Sequence, residues 1–224
     1  MNTTRAAIFD VDGTLTDTNH LHVVAWWEAF RQAGHIVPMA DIHRAIGLTS
    51  GDLLERLLGA ERDESQDSSI SGAHKVLYGT YHDRLTAFEG AGDLLRALAA
   101  REWRVVLATS ASGSELSALR RAIDADDAIW DTASSEDVDA GKPAPEPVRL
   151  ARELAGASVG QTVFVGDSVW DMEAAARAGV SSVALLSGGI PRADLEKAHA
   201  GMIYPHVAEL LAHLDESPFG AITS

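Results

Sequence analysis

Asp10 and Asp12 stand two residues apart directly after an apolar run at residues 6–9, in the segment Ile8-Phe9-Asp10-Val11-Asp12-Gly13-Thr14. Alternate residues of an extended chain share a face, so both carboxylates can meet one site. Gly13 permits a tight turn and a close backbone approach behind them. The same residues also suit an ordinary Asx-type turn. They do not suit a calcium loop of the EF-hand kind, because that loop places Gly sixth and Glu twelfth. Counted from Asp10, Gly is fourth and Leu21 is twelfth.

Three further segments carry polar groups in comparable places. Val105-Val106-Leu107-Ala108 runs into Thr109-Ser110, a hydroxyl pair that could cap a helix or hold a phosphate with neighbouring backbone N–H groups. Lys142, one of only three lysines, lies in Gly141-Lys142-Pro143, either as a solvated loop residue or as a fixed cation. Phe164-Val165-Gly166 leads into Asp167, with Ser168 next and Asp171 four residues on. Asp167 or Ser168 could simply cap a helix, with Asp171 as a first-turn acid. Taken together, the segments would gather Asp10, Asp12, Asp167 and Asp171 at adjoining strand ends. Like charges about 4 Å apart repel by ~4 kcal/mol at an effective dielectric near 20. Such a cluster needs a cation, and an all-oxygen donor set favours Mg²⁺ over zinc. Carboxylates, a hard cation, a lysine and a hydroxyl strand end are the parts of a phosphoryl-transfer site.

The elements that must position these groups follow from hydrophobic patterning. Continuous apolar runs at 6–9, 105–108, 162–165 and 183–186, with a weaker one at 128–130, predict parallel strands covered on both faces. Helical periodicity at 91–100, 115–123, 147–155 and 172–178 falls between them, which implies a parallel α/β sheet with right-handed crossovers. Three of the four segments thus sit at carboxyl ends of strands, where open α/β sheets place their sites. Residues 14–88 contain no convincing strand. Helices are expected at 19–33, 40–46, 52–58 and 73–85, with a polar, serine-rich loop at 61–72. The tail beyond Leu214 is expected to fray.

Composition removes several function classes. With 33 acidic and 18 basic residues the formal net charge is −15, which disfavours nucleic acid and anionic membrane as partners. The absence of cysteine excludes disulfides, thiolate metal sites and a cysteine nucleophile. Neither a secretion signal nor a membrane span is expected, and a cytoplasmic location is the default expectation.

The ordered set of segments resembles the haloacid dehalogenase-like (HAD) hydrolase superfamily over residues 6–186. Asp10-Val11-Asp12-Gly13-Thr14 looks like its first motif, Thr109 its second, Lys142 its third, and Gly166-Asp167 through Asp171 its fourth. The pattern looks closest to the phosphoglycolate phosphatase and β-phosphoglucomutase groups. The resemblance implies a Rossmann-like core (residues 1–15 and 88–224) with an inserted helical C1 cap (16–87), hinged at 14–18 and 86–90. It also implies an enzyme that hydrolyses a small phosphorylated metabolite with Mg²⁺. Asp10 would be the nucleophile and Asp12 the general acid and base. Asp10, the Asp12 carbonyl and Asp167 would hold Mg²⁺, supported by Asp171. Thr109, Ser110 and Lys142 would hold the phosphoryl group.

An acid at position 12 favours phosphate esters over carbon–halogen bonds. The lone cap lysine, Lys75, comes late in the insertion, which disfavours the phosphonatase branch with its cap Schiff-base lysine. His22 matches a mutase cap histidine that plain phosphatases share, and could be a helix-surface residue instead. The stretch 45–51, including Ser50, carries none of the cations a mutase uses to grip a second phosphate, although Arg44 and Arg56 flank it. Hydrolysis is the expected activity. A phosphomutase and a non-catalytic metabolite-binding module are the alternatives. Specificity is expected from residues 47–53, and oligomeric state is open.

Overall fold

The structure, a computed structural model, describes residues 4–134 and 136–222. Six parallel strands form one sheet in the order β3-β2-β1-β4-β5-β6. They are β1 (Arg5–Phe9), β2 (Trp103–Ala108), β3 (Ile129–Ala133), β4 (Thr162–Gly166), β5 (Ser181–Leu185) and β6 (Met202–Tyr204). Successive residues of β1 face opposite sides. Ala7 and Phe9 enter one apolar layer, and Ala6 and Ile8 the other. Both layers are roofed by helices, so the central strands are apolar on both faces.

The first layer packs against α5 (Ala91–Ala100), with Leu94, Leu95 and Leu98 buried, and against α6 (Gly113–Ile123). The second packs against α7 (Glu146–Ala155), α8 (Val169–Ala178) and α9 (Arg192–Lys197). Helix α10 (Val207–Ala212) and the short α11 (Pro218–Ala221) close the first layer.

Between β1 and α5 lies a helical segment with an apolar cluster of its own. It comprises α1 (Asn19–Gln32), α2 (Met39–Ala45), α3 (Ser50–Leu58) and α4 (Asp67–Gly79), packed around Trp26, Phe30, Ile42, Leu54 and Ile70. Its two connections to the sheet run side by side. Asp17 N–H donates to the Thr86 carbonyl (3.0 Å) and Phe88 N–H to the Leu15 carbonyl (2.9 Å).

The structure departs from the sequence expectations in five places. The polar stretch 61–72 is a loop only at its start: a 3₁₀ turn at Glu64–Gln66 leads straight into α4, which takes its second half. The helix is anchored by Ile70, His74, Leu77 and Tyr78, a stripe at helical spacing in which a histidine replaces an aliphatic residue. Arg62 clamps its start by donating to both oxygens of Asp67. Helix α4 correspondingly ends at Gly79, not at residue 85. The third strand is shifted to Ile129–Ala133 because an edge strand can expose Trp130 and Asp131. The sixth strand, at the opposite edge, is the run Met-Ile-Tyr, too short at three residues to announce a strand. Finally, the chain after Leu214 is ordered through Ile222. Phe219 is buried, stacked 6.3 Å from Phe9 and edge-on to Trp103 at 5.0 Å, and Ser217 caps the turn that delivers it.

Candidate active site

Strand order reverses between β1 and β4: the chain builds outward through β2 and β3 on one side and through β5 and β6 on the other. Such a switch point opens a crevice at the carboxyl ends of the strands. Asp10 follows β1 and Asp167 follows β4, and the two ends are tied by Asp10 N–H donating to the Val165 carbonyl (2.9 Å). Asp10, Asp167 and Asp171 are all buried, and one carboxylate oxygen from each lies within 4.8 Å of the others.

Lys142, also buried, donates to Asp10 Oδ1 and to Asp171 Oδ1, the latter at 2.7 Å. The other Asp171 oxygen accepts from Ser168 N–H (3.0 Å) and Ser168 Oγ (2.7 Å) in a reciprocal capping box at the start of α8. Capping and site-building are therefore one arrangement. With its oxygens already met by donors, Asp171 serves to grip Lys142. Asp167 accepts from Thr14 Oγ1 (2.8 Å) and from Asn19 Nδ2 (2.9 Å). Two glycines make room for it. A Cβ on Gly188 would lie 1.7 Å from Asp167 Oδ2, and one on Gly13, at φ +76°, 2.5 Å from the same oxygen.

One ammonium does not balance three buried carboxylates. Burial, reinforced by the charges of Asp171 and Asp12 and opposed by Lys142, pushes Asp10 up to about 7. Burial and the charges of Asp10 and Asp171 hold Asp167 well above the usual carboxylate range. Burial would lower Lys142, but Asp10 and Asp171 raise it. A hard divalent cation held by Asp10 and Asp167 fits this oxygen-only, charge-deficient site.

Asp12 does not join that cluster, which corrects the expectation of four gathered carboxylates. Strand β1 ends at Phe9, and the turn at Gly13 that follows is closed by N–H groups of Leu15 and Thr16 donating to the Val11 carbonyl. The Asp12 side chain instead meets the helical segment. Its Oδ1 accepts from Thr18 Oγ1 (2.6 Å) and lies 3.2 Å from His22 Nε2. His22, on α1, is buried, not a surface residue. Its other ring nitrogen lies 3.2 Å from His74 Nε2 on α4, and its ring stacks on Tyr78 at 3.8 Å. Glu115 of α6 approaches His22 Nε2 at 3.8 Å. Burial alone would raise Asp12, but the hydrogen bond and charge of His22, with Thr18, hold it below its ordinary value. Burial would lower His22, and Asp12 raises it. His74 is pushed down to about 2 by burial and by its cationic neighbours, so it is neutral. Burial lifts Glu115 to about 7, with Asp12 adding to the rise and His22 and Lys75 opposing it.

Two adjoining cavities share Gly47, Thr49, Ser50 and Ser110 in their walls. One, about 160 Å³, reaches Asp10, Asp12, His22, Trp26, His74, Lys75 and Glu115. The other, about 350 Å³, reaches Thr109 and Lys142. Ser50 opens α3, and Ser110 lies between strand β2 and α6, so both candidates face the cleft. The Thr109 Oγ1 accepts from Ala111 N–H (3.0 Å), closing the turn while leaving its own proton to donate. Lys75, late in the insertion on α4, also lines the smaller cavity. Glu115, His74, Asn19 and Thr14 were not singled out from sequence. Only Thr14, inside the first motif, and His74, at helical spacing from Ile70 and Tyr78, left any signal there.

A sequence profile of haloacid dehalogenase-like hydrolases matches residues 4–179. The phosphoglycolate phosphatase of Neisseria meningitidis is 30% identical over 195 residues, spanning 82% of this chain and 81% of its own length. Among solved structures, a hydrolase from Pseudomonas syringae superposes with a TM-score of 0.90 at 34% identity, covering 95% of this chain and 99% of that one. A putative β-phosphoglucomutase from Bacteroides vulgatus shares the fold, with a TM-score of 0.87 at 18% identity, over 99% of this chain and 91% of its own.

Proposed function

The chain belongs to the haloacid dehalogenase-like hydrolases and is a phosphoric monoester hydrolase; from that premise we propose that it is a Mg²⁺-dependent phosphatase acting on a small phosphorylated metabolite through an aspartyl-phosphate on Asp10. The observation that carries this reading is the separation of two carboxylates on one turn. Asp10 is paired with Lys142, and Asp12 is held by Thr18 and His22 against the smaller cavity.

In the proposed reaction a carboxylate oxygen of Asp10 attacks phosphorus, and the ester oxygen leaves with the proton that Asp12 supplies. Asp12, now a carboxylate, takes a proton from water as that water attacks the phosphorus of the aspartyl-phosphate. Phosphate departs and Asp10 is restored. Lys142 neutralises charge on Asp10 and on the phosphoryl oxygens as a compact cation. Thr109 and Ser110 donate to those oxygens, and His22 positions Asp12. Mg²⁺, held by Asp10, the Asp12 carbonyl and Asp167, would supply Lewis-acid charge neutralisation. Residues 16–87 act as a cap over the core formed by 1–15 and 88–224, excluding water when closed. The protein would work in the cytoplasm.

The leaving group enters the smaller cavity, whose lining includes the cation Lys75 beside Trp26, Ser50 and Glu115. A leaving group carrying a carboxylate would meet Lys75, which makes 2-phosphoglycolate the first substrate to test, in keeping with the relatives' names. The stretch 46–50 brings no cation into this cavity, so a second phosphate would meet Lys75 as the one lysine or arginine among the described residues of the lining, a weaker grip than a mutase needs.

The test is phosphate release from a panel of phosphorylated metabolites with and without Mg²⁺, for the wild type and Asp10→Asn. Mg²⁺-dependent release lost in Asp10→Asn is expected. Isomerisation of β-glucose 1-phosphate without phosphate release would replace this reading with the mutase.

A further inference from the structure

Asn19 opens α1, yet its side chain lies in the acidic cluster and not on the helical segment. Its amide is buried, and Nδ2 donates to Asp167 Oδ2 (2.9 Å) and more weakly toward the Gly188 carbonyl (3.4 Å). With Asp167 ionised, as a bound cation would keep it, both neighbours are acceptors, so the nitrogen must face them, and a flipped amide would set oxygen against oxygen. The orientation is therefore fixed by chemistry. It leaves Asn19 Oδ1 buried with no donor. Buried side-chain acceptors without a partner are uncommon, and each calls for an explanation such as a bound ion or water.

Asp167 shows the complementary arrangement. Thr14 takes one of its oxygens and Asn19 the other, so the carboxylate is held from both ends while each oxygen keeps a lone pair free. Mg²⁺ is bound through one or two carboxylates and keeps several of its waters, and those waters need acceptors. On the phosphatase reading above, we propose that Asn19 is a positioning residue for the cation. Its Nδ2 fixes Asp167, and its Oδ1 accepts a hydrogen bond from a water in the cation's own shell. Gly13 supports the arrangement, since a Cβ there would lie 2.3 Å from Asn19 Nδ2 and 2.7 Å from its Cγ. The first residue of α1 thereby belongs to the cation site, and the orientation of that helix is coupled to cation binding.

The experiment is thermal unfolding of the full chain as a function of Mg²⁺ concentration, without substrate. It compares the wild type, Asn19→Leu, Asn19→Ser and Asp167→Asn. Groups that orient metal ligands change metal affinity by roughly 10–100-fold when removed. The Mg²⁺ concentration giving half the rise in Tm should increase by that factor in both Asn19 variants, while Asp167→Asn should show no rise. If Asn19→Leu does not fold, Asn19→Ser, which keeps a small polar group at the helix start, carries the same readout. A lower metal-free Tm with a wild-type Mg²⁺ midpoint would overturn the proposal and leave Asn19 a structural residue only. A wild type whose Tm ignores Mg²⁺ would overturn the cation reading itself, and this proposal with it.

Discussion

Replacing the proposed nucleophile should stabilise the metal-free protein, and should do so only above acidic pH. Asp10 is buried beside Asp167 and Asp171, with Lys142 as its cationic partner, and its pKa rises from 3.8 to about 7. A carboxylate whose folded pKa is raised binds its proton more tightly in the native state. Its contribution to stability is intact below the unfolded value near 3.8 and is lost as pH climbs through about 7. A tenfold change in proton affinity corresponds to about 1.4 kcal/mol, so charging Asp10 at neutral pH costs the fold on the order of 4 kcal/mol. An asparagine in its place would carry no such cost, and the amide carbonyl can still accept from Lys142. In EDTA at pH 7, Asp10→Asn should therefore exceed the wild type by up to about 4 kcal/mol, or about 8–16 °C in Tm for a chain of this size. Near pH 5 the gap should shrink to about 2 kcal/mol, and below pH 4 it should vanish. Saturating Mg²⁺ should raise the wild type at pH 7, since a ligand at a hundredfold its Kd adds about 2.7 kcal/mol. Urea unfolding of both proteins between pH 4 and 8, with EDTA and with Mg²⁺, measures all of this. An Asp10→Asn protein no more stable than wild type at pH 7 in EDTA, or a gap that ignores pH, would refute the electrostatic account of the cluster.

Two other substitutions test separate parts of the site. Gly188→Ala places a Cβ 1.7 Å from Asp167 Oδ2, so Asp167 must move; the Mg²⁺ concentration for half-maximal activity should rise at least about tenfold, and an unchanged requirement would show that Asp167 is not a ligand. His22→Ala removes the ring 3.2 Å from Asp12 Oδ1; steady-state kinetics should show kcat lowered by about 10–100-fold, less than the roughly 10²–10⁴ that a general acid itself contributes, with KM little changed, and a wild-type kcat would remove His22 from the mechanism.

Legibility in the sequence followed burial and chain proximity. Strands β1, β2, β4 and β5 are covered on both faces, so their residues form apolar runs that announce themselves. Edge strands have no such constraint. β3 exposes Trp130 and Asp131, and β6 is three residues long. Asp10, Lys142 and Asp167 were legible because each sits in a short segment whose neighbours mark a strand end or a loop. Asn19, His74 and Glu115 were not, because they come from helices whose own patterns are ordinary. Asn19 meets Asp167 across 148 residues of chain, and His22 meets His74 across 52. Only the packing of the helical segment against the sheet brings them together. The serine-rich start of α4 was misread for a related reason: its single strong apolar anchor, Ile70, is outweighed locally by polar residues that favour loops.

The division between Asp10 and Asp12 carries the larger mechanistic consequence. Their pKa values are pushed in opposite directions within one turn, Asp10 up and Asp12 down. Environments that separate two carboxylates in this way assign them different work. Taken without ligands, the assignment looks inverted, because a nucleophile needs to be charged and an acid needs a proton. In the proposed reaction, ligand charges would reverse both trends. A divalent cation against Asp10 and Asp167 favours their ionised forms, which is the state attack requires. A phosphate anion entering beside Asp12 would favour its protonated form, and His22, with Nε2 3.2 Å from Asp12 Oδ1, holds that carboxyl group in place. In the proposed reaction, then, the Asp12–His22 pair acquires its acid role from the substrate's charge, and the site is armed by the species it acts on. Glu115, at 3.8 Å from His22 and lifted to about 7, places a third proton-binding group on the same short path.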